Sequence, residues 1–275
     1  MFNPEEIYYM MTTNCNQRCS KCSHWKIPKY NGKRLEPKKI VDFLLEIPSC
    51  RDFTIVGGEP LLFKEEILQL MYGLKDTQIR TVVITNGLAL DKGFVDAVKD
   101  FNVHFVLSID TVDKGFWKYV RGCDSYDKVM ANFEYLFKTL TAWQISIQSV
   151  RAKETVPYIP AVKEYADRHK VSHTEQDYVQ EGFDGHWTQH TTKTASIPMS
   201  GQQCFSAGRN ISILQDGSVF TCFQQNLIPG CQQPLGNLHS DTAAKIIHSE
   251  YASFVIEKMK KCDKPCKVLK CNLKK

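Results

Sequence analysis

A chain of 275 residues, 43% hydrophobic and 24% charged, has room for one large domain or a full domain with an appendage, and is too apolar to be disordered. No run approaches the roughly 20 apolar residues that span a bilayer, and Met1-Phe2-Asn3-Pro4-Glu5-Glu6 lacks the basic start and apolar stretch of a signal peptide, so a cytoplasmic protein with no membrane partner is expected. The net charge of +5 is mild, and Lys260, Lys261, Lys264, Lys267, Lys270, Lys274 and Lys275 read as a solvated basic tail rather than a nucleic-acid surface.

Eleven cysteines, an odd number, point in a cytoplasmic chain to metal or redox chemistry rather than disulfides. Three lie at 15–22, Cys50 and Cys123 stand alone, and six follow residue 203.

In chain order, short β-branched and aromatic runs predict strands at 7–11, 53–56, 81–85, 103–109, 145–150 and 172–179. Helical spacing predicts helices at 37–46, 64–73, 92–99, 126–140 and 156–169. Pro37 suits a first helical turn, and Ser125 or Asp124 can cap the fourth helix. Strands alternating with helices predict an α/β fold of parallel βα units, either an incomplete barrel or a doubly wound sheet. The pattern dissolves from Gly182 to Pro198 into a linker or loop. Beyond it, the runs 210–214 and 218–222 flank Gln215-Asp216-Gly217 as a hairpin, and a helix is expected over 241–259.

Cys15, Cys19 and Cys22 are spaced Cys-x3-Cys-x2-Cys just after the first strand. Three thiolates on one loop can hold three irons of a [4Fe-4S] cluster and leave the fourth open; a zinc site would need a fourth ligand, with His24 as the local candidate. Gly57-Gly58-Glu59-Pro60 ends the second strand, Thr85-Asn86-Gly87 the third and Ser108-Ile109-Asp110 the fourth. Together these motifs resemble the radical SAM superfamily. That resemblance implies a partial (β/α)6 TIM-like barrel and reductive cleavage of S-adenosylmethionine to a 5′-deoxyadenosyl radical, with a flavodoxin- or ferredoxin-type electron donor. It also implies S-adenosylmethionine contacts from Gly57, Gly58, Glu59, Pro60, Thr85, Asn86, Ser108, Asp110 and Gln148, with Glu59 accepting from the amino group. One residue departs from the family pattern: the position before the third cysteine, often aromatic, is Lys21. Trp25 is one candidate to stack on adenine instead.

Cys204, Gly217 and Cys222 follow a Cys-x12-Gly-x4-Cys spacing. This resembles the opening of the SPASM and twitch domains, and implies a small α+β module carrying an auxiliary [4Fe-4S] cluster. Cys204, Cys222, Cys262 and Cys266 are the favoured ligands; Cys271 can replace one of the last two, and Cys231 is a spare thiol or an unexpected ligand. A structural zinc is the alternative. The expected domains are a barrel over 1–181, a linker over 182–198 and the auxiliary module over 199–275.

Among the remaining residues, Cys50 reads as a small buried hydrophobe. Cys123, in the loop after the fourth strand, is a candidate hydrogen donor to a substrate radical. Alternate residues of the sixth strand point inward, which makes Glu175 and Asp177 candidate bases. His186, Trp187 and His190 either close over substrate or form a surface loop. The substrate expected from this reading is a sugar-like small molecule undergoing oxidation. Epimerisation or peptide maturation is the alternative, and an iron–sulfur nucleic-acid-binding protein the remote one.

Overall fold

A computed structural model describes residues 2–22, 24–28, 30, 32–178, 204 and 206–262, apart from the side chain of Asp177. The 182–198 linker, His186, Trp187, His190, Cys266 and Cys271 lie outside the described residues.

Six parallel strands form the first part of the sheet: β1 (Glu6–Thr12), β2 (Asp52–Gly57), β3 (Arg80–Thr85), β4 (Val103–Ser108), β5 (Ile145–Arg151) and β6 (Ser172–Asp177). They neighbour one another in chain order, the arrangement that short βαβ connections favour. The helices between them are α1 (Pro37–Leu45), α2 (Lys64–Leu74), α3 (Lys92–Val98), α4 (Lys114–Arg121), α5 (Tyr126–Thr139) and α6 (Ile159–Arg168). Pro37 opens α1, where a missing N–H leaves nothing unpaired. Asp91 caps α3 by accepting from the Phe94 N–H at 2.9 Å. Ser125 stands at the N-cap of α5, but its hydroxyl accepts from Trp117 Nε1 (3.1 Å) instead of capping.

Helix α4 is absent from the sequence expectation. Its run of Phe116, Trp117, Tyr119 and Val120 carries the composition of a strand. The end signals decide otherwise. Asp113 accepts from the Phe116 N–H at 2.7 Å, and Gly122 closes the helix in the left-handed region (φ +67°). Trp117, Val120 and Arg121 then share the buried face at helical spacing.

The cross-strand register sorts the sheet into two faces. Tyr9, Ile55, Val83 and Phe105 are neighbours in register, and Leu107, Ile147 and His173 continue that face. It is the helix side: the ring of Phe94 from α3 meets Phe105 edge-on at 6.3 Å, and Phe53, Ile55, Val83, Phe105, Leu107 and Ile147 are fully buried. The other face carries Tyr8, Val56, Ile84, Val106, Ser108, Gln148 and Gln176, all half-buried. One face thus packs the core and the opposite one lines the barrel interior.

The C-terminal module is part of the same sheet. β7 (Asn210–Ile213) pairs parallel with β1, and β8 (Ser218–Phe220) and β9 (Gly236–Asn237) follow antiparallel, giving nine strands in the order β6-β5-β4-β3-β2-β1-β7-β8-β9. Gly217 makes the expected turn at φ +83°. The expected helix over 241–259 is two helices, α7 (Ala243–Ile247) and α8 (Glu250–Met259), because Ser249 takes the N-cap of the second and accepts from the Ala252 N–H. No helix among the described residues is long and apolar enough to cross a membrane.

Candidate active site and cluster loops

Every motif singled out in the barrel lies at the C-terminal end of a parallel strand, where α/β barrels place their chemistry. The loop bearing Cys15, Cys19 and Cys22 follows β1, and all three thiols are half-buried. Burial pushes the Cys15 thiol up to about 11, so a metal must displace its proton on binding. The Gln17 N–H donates to Cys15 Sγ at 3.4 Å, Asn86 Nδ2 approaches the same sulfur at 3.6 Å, and Arg121 Nη1 stands 3.9 Å from Cys19 Sγ.

The Gly57-Gly58-Glu59-Pro60 turn braces this loop. The Gly58 N–H donates to the Thr12 carbonyl (2.7 Å) and the Glu59 N–H to the Asn14 carbonyl (2.8 Å). A Cβ on Gly58 would sit 2.1 Å from the Asn14 oxygen, so the close approach served here is to the cluster loop itself.

Glu59 is fully buried, and its carboxylate is occupied by the chain's own donors. It accepts from the Leu61 N–H (3.0 Å), Thr85 Oγ1 (2.7 Å) and the Asn86 N–H (2.8 Å). Burial raises its pKa to about 6 against these three donors. These bonds make Glu59 a strut joining the loops after β2 and β3. Thr85 is likewise buried, and Pro60 opens a single 3-10 turn. Asn86 reaches the cluster loop, donating through Nδ2 to Asn16 Oδ1 at 2.9 Å.

Asp110 is buried and ion-paired twice, with Lys21 and with Arg121 Nη2 (2.9 Å), and accepts from the Val150 N–H at 2.8 Å. Burial alone would raise its pKa, but the two cations hold it below the usual carboxylate range. Arg121 also donates to the Ser108 carbonyl. The end of α4 is clamped to the cluster loop through Arg18 N–H to the Arg121 carbonyl and Ser20 N–H to the Val120 carbonyl, both 3.0 Å. Ser108 and Gln148 are neighbours in register on the inner face, and Gln148 Nε2 donates to Gln176 Oε1 at 2.6 Å. Trp25 donates from Nε1 to the Cys19 carbonyl at 3.2 Å, with Arg18 and Lys26 over its ring.

The candidate bases fall elsewhere. Glu175 pairs in register with Ser149 on the helix side, is exposed, and meets Arg151 at 3.6 Å. The strand alternates as expected, but the inward members are Thr174 and Gln176. The backbone of Asp177 pairs with Arg151, on the same register as Glu175. Cys123 is half-buried beside the cluster loop, 3.2 Å from Ser125 Oγ. Cys231 is fully buried, and Cys50 is a core residue as expected.

In the C-terminal module, Cys204 precedes β7 and Cys222 follows β8, so both stand at one end of the hairpin. The Thr221 hydroxyl meets Met259 Sδ at 2.7 Å, which brings the end of α8, and Cys262 just beyond it, beside Cys222. All three thiols are half-buried against the core. The rings of Phe223 and Tyr8 meet edge-on at 6.2 Å, and Gln215 Oε1 accepts from the Thr13 N–H at 3.1 Å. The module therefore touches both the inner face and the cluster loop.

Among the described residues no three His, Cys, Asp or Glu side chains close on a single metal ion, so the fit of a cluster is judged on the donors around the thiols. Gln17 Nε2 and Arg121 Nε are buried with no hydrogen-bond partner among the described residues, and both side chains contact Cys19. Orphaned donors around half-buried thiols match an anionic group seated there, as a thiolate-bound iron–sulfur cluster is.

Comparison with known proteins agrees. The radical SAM superfamily model matches residues 9–148, and the model of the SPASM iron–sulfur cluster-binding domain matches residues 204–272. The chain belongs to the radical SAM superfamily and is an enzyme of that class, with S-adenosylmethionine and a [4Fe-4S] cluster as cofactors and a SPASM region that implies an auxiliary cluster. A probable GTP 3′,8-cyclase of Methanococcus maripaludis is 29% identical over 161 residues, 56% of this chain and 52% of that protein. The chain thus spans about half the length of the curated relatives it matches. SuiB of Streptococcus suis bound to its precursor peptide SuiA superposes with a TM-score of 0.75 at 15% identity, covering 97% of this chain and 72% of that one. BtrN in complex with AdoMet and 2-DOIA gives 0.55 at 15% identity, covering 96% and 92%.

Proposed function

We propose that Cys15, Cys19 and Cys22 hold the S-adenosylmethionine-binding cluster, that Cys204, Cys222 and Cys262 with Cys266 or Cys271 hold the auxiliary one, and that the enzyme oxidises a substrate lying on the inner face of the sheet. When bound, these groups supply a radical able to remove hydrogen from an unactivated carbon and an acceptor for the electron left behind. The chain's own part is placement. Glu59, Gly58 and Asn86 fix the cluster loop, and Arg121 and Gln17 present donors to it. The observation that carries the reading is the pair of orphaned buried donors beside half-buried thiols at the mouth of the barrel.

The inner face offers neutral hydrogen-bonding groups, Ser108, Gln148 and Gln176, beside Val56, Ile84 and Val106. Amides of this kind suit a peptide backbone or a polyol; a triphosphate calls for clustered cations. A peptide substrate is favoured by the superposition of 97% of this chain on 72% of peptide-bound SuiB. A small sugar-like substrate is the second reading, favoured by the 92% coverage of BtrN.

After anaerobic reconstitution the protein should carry two clusters and cleave S-adenosylmethionine under reductant. The triple change of Cys15, Cys19 and Cys22 to Ala should abolish cleavage and remove about half of the iron. Cleavage surviving in that variant refutes the assignment. A panel of short peptides and aminocyclitols, scored by substrate-dependent methionine release, separates the two substrate classes.

A further inference from the structure

Lys21 lies between two cysteines of the cluster loop, where a cation needs a reason. Its side chain is only 10% exposed, and its ammonium pairs with Asp110, itself 3% exposed. Asp110 binds Arg121 through its other oxygen at 2.9 Å, and Arg121, 5% exposed, reaches Cys19 Sγ at 3.9 Å. Burial and Arg121 push the Lys21 ammonium down while Asp110 supports it; with Lys21 protonated, two buried cations against one carboxylate leave a net positive charge beside the thiols. Desolvating three ionised groups is unfavourable unless their pairing and the surrounding field offset it. A cluster that gains negative charge on reduction supplies such a field, and a fixed positive charge next to it favours the reduced form.

We propose that Lys21, Asp110 and Arg121 form a charge triad that sets the electron affinity of the cluster on Cys15, Cys19 and Cys22, with Lys21 as a positioning residue that both pins the loop to the end of β4 and contributes the surplus charge. The proposal rests on the cluster assignment made above. It differs from a packing role in the ordering it imposes. The triad carries a net charge of one positive unit; Lys21→Met makes it neutral, Asp110→Asn makes it two positive, and the double variant restores one.

The experiment is an EPR-monitored redox titration of the reconstituted protein without S-adenosylmethionine, using dithionite as reductant. The signal followed is the one missing from the triple Cys15, Cys19 and Cys22 to Ala variant. Lys21→Met should lower the equilibrium constant for cluster reduction tenfold or more, a shift of at least 59 mV to negative potential for a one-electron couple. Asp110→Asn should shift it positive, the double variant should return towards wild type, and Lys21→Arg should leave it in place. If Lys21→Met and Asp110→Asn move the potential the same way, or neither moves it, the triad is structural and the proposal is overturned. Should Lys21→Met fail to retain the cluster, Asp110→Asn and the double variant still decide by the sign and cancellation of their shifts. A wild-type protein with no signal dependent on the three cysteines would instead overturn the cluster assignment, and this proposal with it.

Discussion

Glu59→Ala tests whether the Gly-Gly-Glu-Pro turn serves the fold or the ligand. The change strips the acceptor from three donors, the N–H groups of Leu61 and Asn86 and the hydroxyl of Thr85. The hydroxyl can rotate to a new partner, but the two backbone groups cannot. Leaving a buried donor unpaired costs about 1–3 kcal/mol, so a loss of roughly 3–5 kcal/mol is expected once the cavity is counted. At roughly 2–4 °C per kcal/mol for domains of comparable size, the melting temperature of the iron-free, ligand-free protein should fall by about 6–20 °C. Glu59→Gln should lose less, because it keeps one acceptor while turning an amide N–H towards one donor.

The pH dependence carries a sign of its own. The carboxyl's pKa rises from 4.5 in the unfolded chain to about 6 in the fold. Its contribution is therefore fully present below 4.5 and is lost as pH climbs through 6, a change of about 2 kcal/mol. The gap between wild type and Glu59→Ala should widen by that amount as the medium is acidified. Thermal unfolding followed by circular dichroism measures both effects. An unchanged melting temperature without ligand, combined with weakened S-adenosylmethionine binding in equilibrium dialysis, would show that Glu59 acts on the ligand and refute the strut.

Gly122→Ala forces a left-handed φ of +67° on an L side chain, about 1–2 kcal/mol, and sets its Cβ 2.2 Å from the Arg18 carbonyl oxygen; the cluster loop must move, and iron analysis should show loss of the N-terminal cluster's share. Gln225→Ala removes a fully buried amide that accepts from Thr221 and donates to the Cys231 and Gln233 carbonyls; about 2–4 kcal/mol should be lost, read as earlier unfolding in urea. Cys204→Ala or Cys222→Ala should lose one cluster's iron while substrate-independent cleavage of S-adenosylmethionine survives, and a protein with full iron after either change contradicts the ligand set.

The six barrel strands and the β7–β8 hairpin were legible in the sequence to within one or two residues, most clearly where a β-branched run is bounded by turn residues, as with Thr81–Thr85 inside β3; the two-residue β9 (Gly236–Asn237) carries no such run and was not. The family was legible because three cysteines at that spacing on one loop, followed by the motifs at the ends of β2, β3 and β4, have few other readings. Helix α4 was not, since its composition is that of a strand and only Asp113 and Gly122 mark its ends. The roles of Glu59 and Asp110 were legible as positions but not as contacts: their partners, Asn86 and Arg121, come from other βα units. Glu175 was misplaced for a related reason. Alternation shows that every second residue of β6 faces inward, but not which set, and only pairing with β5 shows that Gln176 does.

The parallel pairing of β7 with β1 was invisible to local patterns, and it relates the two cysteine clusters. Asn210 lies level with Glu6 and Ile213 with Tyr9, so the turn after β7 points to the barrel mouth and Gln215 reaches Thr13 there. β8 then runs back, which carries Cys222 towards the level of Glu6, where the chain before β7 also lies through the Asn3 N–H to Gly208 and Glu5 N–H to Arg209 bonds. Cys15–Cys22 and Cys204/Cys222 therefore stand near opposite ends of β1. At about 3.3 Å per residue that strand is about 20 Å long. Between the two ends, on the inner face, lie Tyr8 and its edge-on contact with Phe223, the neighbour of Cys222. A substrate on that face would have one cluster loop at its mouth and the other at its back, an arrangement suited to removing a hydrogen atom on one side and an electron on the other.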